Sequence, residues 1–176
     1  TAIAAEPSTG LVAAVHGKGM KFFAWMLNLR GGAGVKEYLK TRPDHAQQLG
    51  PMDRLLIGMP RISADRLNIN TGEWLCPDRG LLDVELRQIE EFLVKLKVDG
   101  IALDYVGYRN YYACFCPHSG KEREKYAKAH PELAAGQVLW KYSEASLAKY
   151  VQQVRDAANA VKPGAELAIH VYPDFD

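Results

Sequence analysis

Two kinds of residue in this chain carry obvious chemical potential: carboxylates that close apolar runs, and cysteines that flank one of those runs. Asp104 closes Val98-Asp-Gly-Ile-Ala-Leu-Asp104 and is followed by the aromatic and polar stretch Tyr105-Val-Gly-Tyr108. Read as a strand, the run sets Ile101, Leu103 and Tyr105 on one face and Ala102 and Asp104 on the other. A buried parallel strand that ends in an acid is where α/β folds place catalytic groups. A carboxylate there also serves a plainer purpose, accepting backbone N–H bonds to cap its own loop, and composition by itself favours that role. Asp174 ends a second apolar run in the same manner. Cys114 and Cys116, in Cys114-Phe-Cys-Pro-His118, combine with Cys76 and His118 into a nominal set of three thiolates and an imidazole, which zinc accepts. Their Cys-x-Cys spacing is tighter than usual for zinc, and plain loop thiols or a single disulfide to Cys76 explain the same residues. No cofactor is expected.

Several elements must position these groups. Residues 10–19 read as the end of a helix stopped by Gly17 and Gly19, and residues 20–29 as a buried, aromatic strand. One face of that strand carries Phe22, Ala24, Met26 and Asn28. The other carries Phe23, Trp25 and Leu27, which suit packing against helices. The loop Arg30-Gly-Gly-Ala-Gly34 has neither the Lys-Ser/Thr ending nor the spacing of a phosphate cradle. A long excursion over 35–77 follows, with a short helix at 35–40, a turn at 42–45, a short strand at 55–59 and turn chemistry at 68–72. Excursions of this length inside a domain are usually functional. Residues 81–96 form an amphipathic helix with Val84, Ile89, Phe92, Leu93 and Leu96 on its apolar stripe. A second excursion, 109–137, holds the cysteine pair and a polar helix over 121–129, whose charges read as a solvated face. A second long helix spans 142–161, with Ser143 as its N-cap and Lys162-Pro-Gly164 as its stop. The last strand, 166–174, puts Ala168, His170 and Tyr172 on one face.

Strands and helices therefore alternate, which predicts an α/β fold with a parallel sheet and right-handed crossovers. Each excursion follows a strand and precedes a helix, so both lie at the C-terminal edge of the sheet, with Asn28, Asp104 and Asp174. That is the layout of a (β/α)-barrel active site. The 176 residues are 48% hydrophobic and 24% charged, with a formal net charge of +1, enough apolar content for a core. No basic stripe suggests a nucleic-acid partner, and no apolar run reaches the roughly 18–20 residues of a membrane helix.

Three segments, in order, resemble glycosyl-hydrolase-like (β/α)8 barrel proteins whose fourth strand reads roughly Asp-Gly-Ile-His-Leu-Asp-Tyr-Ile-Arg-Tyr. Here that segment is Asp99-Gly-Ile-Ala-Leu-Asp104-Tyr-Val-Gly-Tyr108. Ala14-Val-His-Gly-Lys-Gly-Met-Lys-Phe-Phe-Ala-Trp25 resembles the group's third helix and strand, and Lys162-Pro-Gly-Ala-Glu-Leu-Ala-Ile-His-Val-Tyr-Pro173 its fifth strand. Cys114-Phe-Cys-Pro-His118 resembles a cysteine-bearing loop that follows the acid strand in related barrels. The chain departs from the group's pattern at Ala102, where the group has histidine, at Gly107, where it has arginine, and at Ser119, the loop's fourth position.

The resemblance implies strands three to five of a TIM barrel. At 176 residues the chain is shorter than the roughly 250 of a whole one. The expectation is a single α/β region, 1–176, from a longer barrel, with the remaining barrel or another subunit covering its sheet edges. The implied function is glycoside hydrolysis of an oligo- or polysaccharide, with Asp104 as nucleophile or base. Such cleavage needs two carboxyl groups, and Asp174, with Asp176 beside it, is the candidate second acid. Trp25, Trp74, Tyr105 and Tyr108 offer stacking surfaces, although Trp25 suits a core position better. Asn28 and His170 offer bonds to sugar hydroxyls. A barrel that binds carbohydrate without cleaving it is the alternative, and a metal-dependent hydrolase barrel is disfavoured by the scarcity of strand-borne histidines. The sequence leaves the compartment open, while the resemblance points to an extracellular or periplasmic one.

Overall fold

The computed structural model describes residues 8–31, 33–50 and 70–170. Helix α1 (Thr9–His16) starts where the Ser8 hydroxyl accepts the Leu11 N–H, and it leads into strand β1 (Phe23–Leu27). The first excursion then builds α2 (Ala33–Thr41), a 3-10 turn (Pro43–His45), an antiparallel pair β2 (Ala46–Gln48) and β3 (Asn70–Leu75), and a second 3-10 turn (Pro77–Arg79). Residues from Asn70 onward are strand where turn chemistry was expected, because β2 supplies a partner that a local reading does not see. The short strand expected over 55–59 lies outside the described residues.

Helix α3 (Asp83–Glu90) runs on through a π-turn (Glu91–Lys95) and delivers the chain to β4 (Gly100–Asp104). Helices α4 (Pro117–Ala129) and α5 (Ala135–Val161) follow, and β5 (Glu166–Ile169) comes last. Helix α5 starts about two turns earlier than the sequence suggests. The Gln137 side chain accepts the Ala134 N–H there, and Ser143 lies buried inside the helix instead of capping it.

Strands β1, β4 and β5 form one parallel sheet with β4 in the middle. The alternating βα reading is therefore correct in element order and strand direction. The register sets Trp25 opposite Ala102, Leu27 opposite Asp104, and Leu103 opposite Ile169. Gly100 answers to the closeness of this packing: a Cβ there would overlap the Glu166 carbonyl and the Phe23 ring. Beside it, the Asp99 carboxylate accepts the Phe22 N–H at 2.7 Å and faces His16 Nε2 at 2.8 Å. The backbone bond, and then His16, hold the Asp99 carboxyl below its ordinary range.

The sheet buries one face. Ala24, Met26, Ile101 and Leu103 pack with Ile89 and Leu93, and with Tyr150, Val154 and Ala158 of α5. The faces of β1 are thus the reverse of the expectation. Small and unbranched side chains lie under the helices, while Trp25, 48% exposed, stands on the opposite face.

Candidate functional site around Asp104

Asp104 ends β4 at the C-terminal edge of the sheet, on the face away from the helices, as strand alternation requires. Three groups meet its carboxylate. Trp25 Nε1 donates to Oδ2 at 3.1 Å, the Tyr105 N–H donates to Oδ1 at 2.8 Å, and His170 Nδ1 lies 3.3 Å from Oδ1. The carboxylate thus gathers groups from all three strands: β1 through Trp25, β4 itself, and the residue after β5 through His170. It is 1% exposed, whereas the His170 side chain is 55% exposed.

Tyr105 takes a positive φ of 56°, an unusual conformation for a bulky residue. That break ends the strand alternation and turns the Tyr105 ring toward the first excursion. The ring meets Trp74 edge-on at 5.9 Å, and the Arg30 guanidinium lies over it at 4.7 Å. Arg30 also stands 5.9 Å from the Trp74 ring and is tied to Trp74 by a β-bridge. The result is an acid-centred patch of Trp25, Asp104 and His170, continued by the Tyr105, Trp74 and Arg30 cluster.

Four of the expected site residues, Asp104, Trp74, Tyr105 and His170, thus fall in this patch. Asn28 does not. Its side chain is fully buried on the helix side and donates to the Tyr150 hydroxyl at 3.2 Å. Tyr150 in turn bonds Glu85, whose carboxyl burial drives up despite that bond. Asn28 was placed by its position at the strand end, but β1 parity points it away from Asp104. Tyr108 is also displaced from the patch. It is buried, its hydroxyl donates to the Ser143 carbonyl at 3.2 Å, and desolvation pushes that hydroxyl up. Asp174 and Asp176 lie outside the described residues. Sequence reading missed Arg30 altogether, taking it for part of a glycine-rich loop. It favoured a core role for Trp25, whose indole N–H, a donor needing an acceptor, was the signal for Asp104.

Tyr108 belongs instead to a second cluster with Cys76, Cys114 and Cys116, all buried and all free thiols. The three sulfurs lie within 4.8 Å of one another. Hydrogen bonds among the three thiols raise Cys76 and Cys114 and lower Cys116. His118, the fourth ligand nominated from sequence, instead places Nε2 3.2 Å from the Asp78 carbonyl oxygen.

Fold and site together define an α/β protein with a parallel three-stranded sheet, helices packed on one face, and an acid at the C-terminal end of its central strand. No protein-family model matches the chain, and no curated protein matches it. Among solved structures it is similar to alpha-L-fucosidase isoenzyme 2 from Paenibacillus thiaminolyticus, with a TM-score of 0.58 and 22% identity over 92% of this chain. The match spans 22% of the fucosidase chain. At that identity the likeness is one of fold.

Proposed function

We propose that the chain carries one side of a glycoside hydrolase active site within a (β/α)8 barrel, with Asp104 as nucleophile or base. The observation that carries this reading is the convergence on Asp104. A carboxylate at the C-terminal end of a parallel strand accepts N–H bonds from Trp25 and Tyr105, with His170 alongside and the aromatic pair Trp74 and Tyr105 beside it. These donors fix the carboxylate's orientation, which an attacking oxygen requires. Trp74, Tyr105 and Arg30 supply apolar faces and a cation next to it, a combination suited to a sugar ring with its hydroxyls. The fold shared with an α-L-fucosidase supports the same substrate class, and aryl fucosides belong in any substrate panel. Asp174 is the proposed second carboxyl group, and His170 and Trp25 the residues that orient Asp104. Glu73 and Glu166 are less suitable as the second group, because each is already engaged, with Lys36 and Lys21 respectively.

The deep burial of Asp104 supports a second reading, in which it clamps three strands together and does no chemistry. Asp104→Asn separates the two. The amide keeps one acceptor oxygen and nearly the same shape. The lost acceptor lowers the thermal midpoint on either reading. If Asp104 is catalytic, the folded variant loses roughly 10²–10⁴-fold in turnover of aryl glycosides. If it is a clamp, turnover by the folded fraction is unchanged.

A further inference from the structure

We infer that Cys76, Cys114 and Cys116 hold a zinc ion, with the fourth vertex of its tetrahedron falling at Ser119. The inference does not depend on the function of Asp104.

The three sulfurs come from separate excursions: Cys76 from the end of the first, Cys114 and Cys116 from the second. They nevertheless converge to within 4.8 Å of one another in a buried pocket. A tetrahedral zinc ion with bonds of about 2.3 Å to sulfur holds its sulfurs about 3.8 Å apart. Cys76 Sγ and Cys116 Sγ are 3.6 Å apart. Asp78 Oδ2 is 3.8 Å from Cys76 Sγ but does not lie within 4.8 Å of all three sulfurs, so Asp78 stands outside the ligand set.

The Asp78 carboxylate braces the cluster from outside. Ser119 donates to Asp78 Oδ2 and Ser146 donates to Oδ1 at 2.6 Å, so both oxygens are held in place. Outer hydrogen bonds of this kind position the ligands of structural metal sites. Ser119 Oγ itself lies 3.0 Å from Cys76 Sγ and 3.6 Å from Cys116 Sγ, at a vertex that a fourth thiolate would fill. A hydroxyl is a poor zinc ligand, so this vertex is the weak point of the site. Three thiolates favour zinc over the hard cations, which prefer all-oxygen sets.

The ion would act as a clip. It would join the 3-10 turn Pro77–Arg79 to the start of α4 and fix Tyr108 four residues beyond Asp104. Binding releases the protons still held by the thiols, so it strengthens as pH rises.

The test is metal content of the full chain purified under reducing conditions, measured by plasma mass spectrometry, together with cobalt substitution. The expected result is one zinc per chain, and a thiolate-to-cobalt charge-transfer absorption after exchange. Cys116→Ser should lose both. Ser119→Cys should bind at least tenfold more tightly in competition with a chelator, because a thiolate replaces a hydroxyl at a prepared vertex. Should Cys116→Ser not fold, the Ser119→Cys comparison and the wild-type spectrum carry the test. A chain that folds with no bound zinc and gives no cobalt–thiolate band overturns the inference. So does a Cys76–Cys116 disulfide in protein purified without reductant.

Discussion

Asp104 is served by residues that a linear reading ranks in the wrong order. Its place at the end of an apolar run was legible, because strand alternation depends only on local sequence. The roles of Trp25 and Asn28 were not. Which face of β1 meets the helices depends on side-chain volumes contributed by α3 and α5, far away in the chain. Ala24 and Met26 fit under those helices, so Trp25 and Asn28 exchange the environments expected for them. Trp25→Phe keeps the ring and removes only the donor to Asp104 Oδ2. It should destabilise the fold by about 1 kcal/mol in urea unfolding, whereas no change would mean that water replaces the bond at no cost. His118 shows the same limit. The helix beginning at Pro117 directs its ring to the Asp78 backbone, and no spacing rule reveals that direction.

At the scale of elements, the periodic segments were the legible ones. Helix α3 and strand β4 follow from hydrophobic spacing and stand where expected. Strand β3 and the first turns of α5 depend on a distant partner and on one side-chain cap, and both were misplaced. At Gly100 the join between β4 and its neighbours leaves no room for a side chain. Gly100→Ala forces a methyl group against the Glu166 carbonyl and should cost about 1–3 kcal/mol, measured by the shift in urea midpoint at constant slope. Under α3, Glu85 accepts the Leu82 N–H at 2.9 Å and the Tyr150 hydroxyl, yet burial raises its pKa above the ordinary 4.5. The folded state therefore holds the Glu85 proton more tightly than the unfolded one. Its contribution to stability is complete below about pH 4.5 and erodes as pH rises through the folded value. Glu85→Gln cannot ionise. The stability of wild type relative to this variant should decline from pH 4.5 towards neutrality, and a difference independent of pH would contradict the assignment.

Across the whole molecule, the alternation of strand and helix fixed the direction and sequence of the three parallel strands, because crossovers leave few alternatives. What covers the outer edge of β5 was not legible, and Ile169 stands 45% exposed there. Such an edge pairs readily with another strand. The isolated chain should self-associate with rising concentration, and Ile169→Lys should shift sedimentation towards the monomer. Equal association by both proteins would place the contact elsewhere. The central claim concerns Asp104, and it is tested most directly by turnover of a panel of aryl glycosides by wild type and by Asp104→Asn, with thermal midpoints recorded for both. The account predicts hydrolysis by wild type and, at a temperature below both midpoints, a loss of roughly 10²–10⁴-fold in the variant. Equal rates for the two proteins, or a variant that loses its fold and not its chemistry, would contradict it.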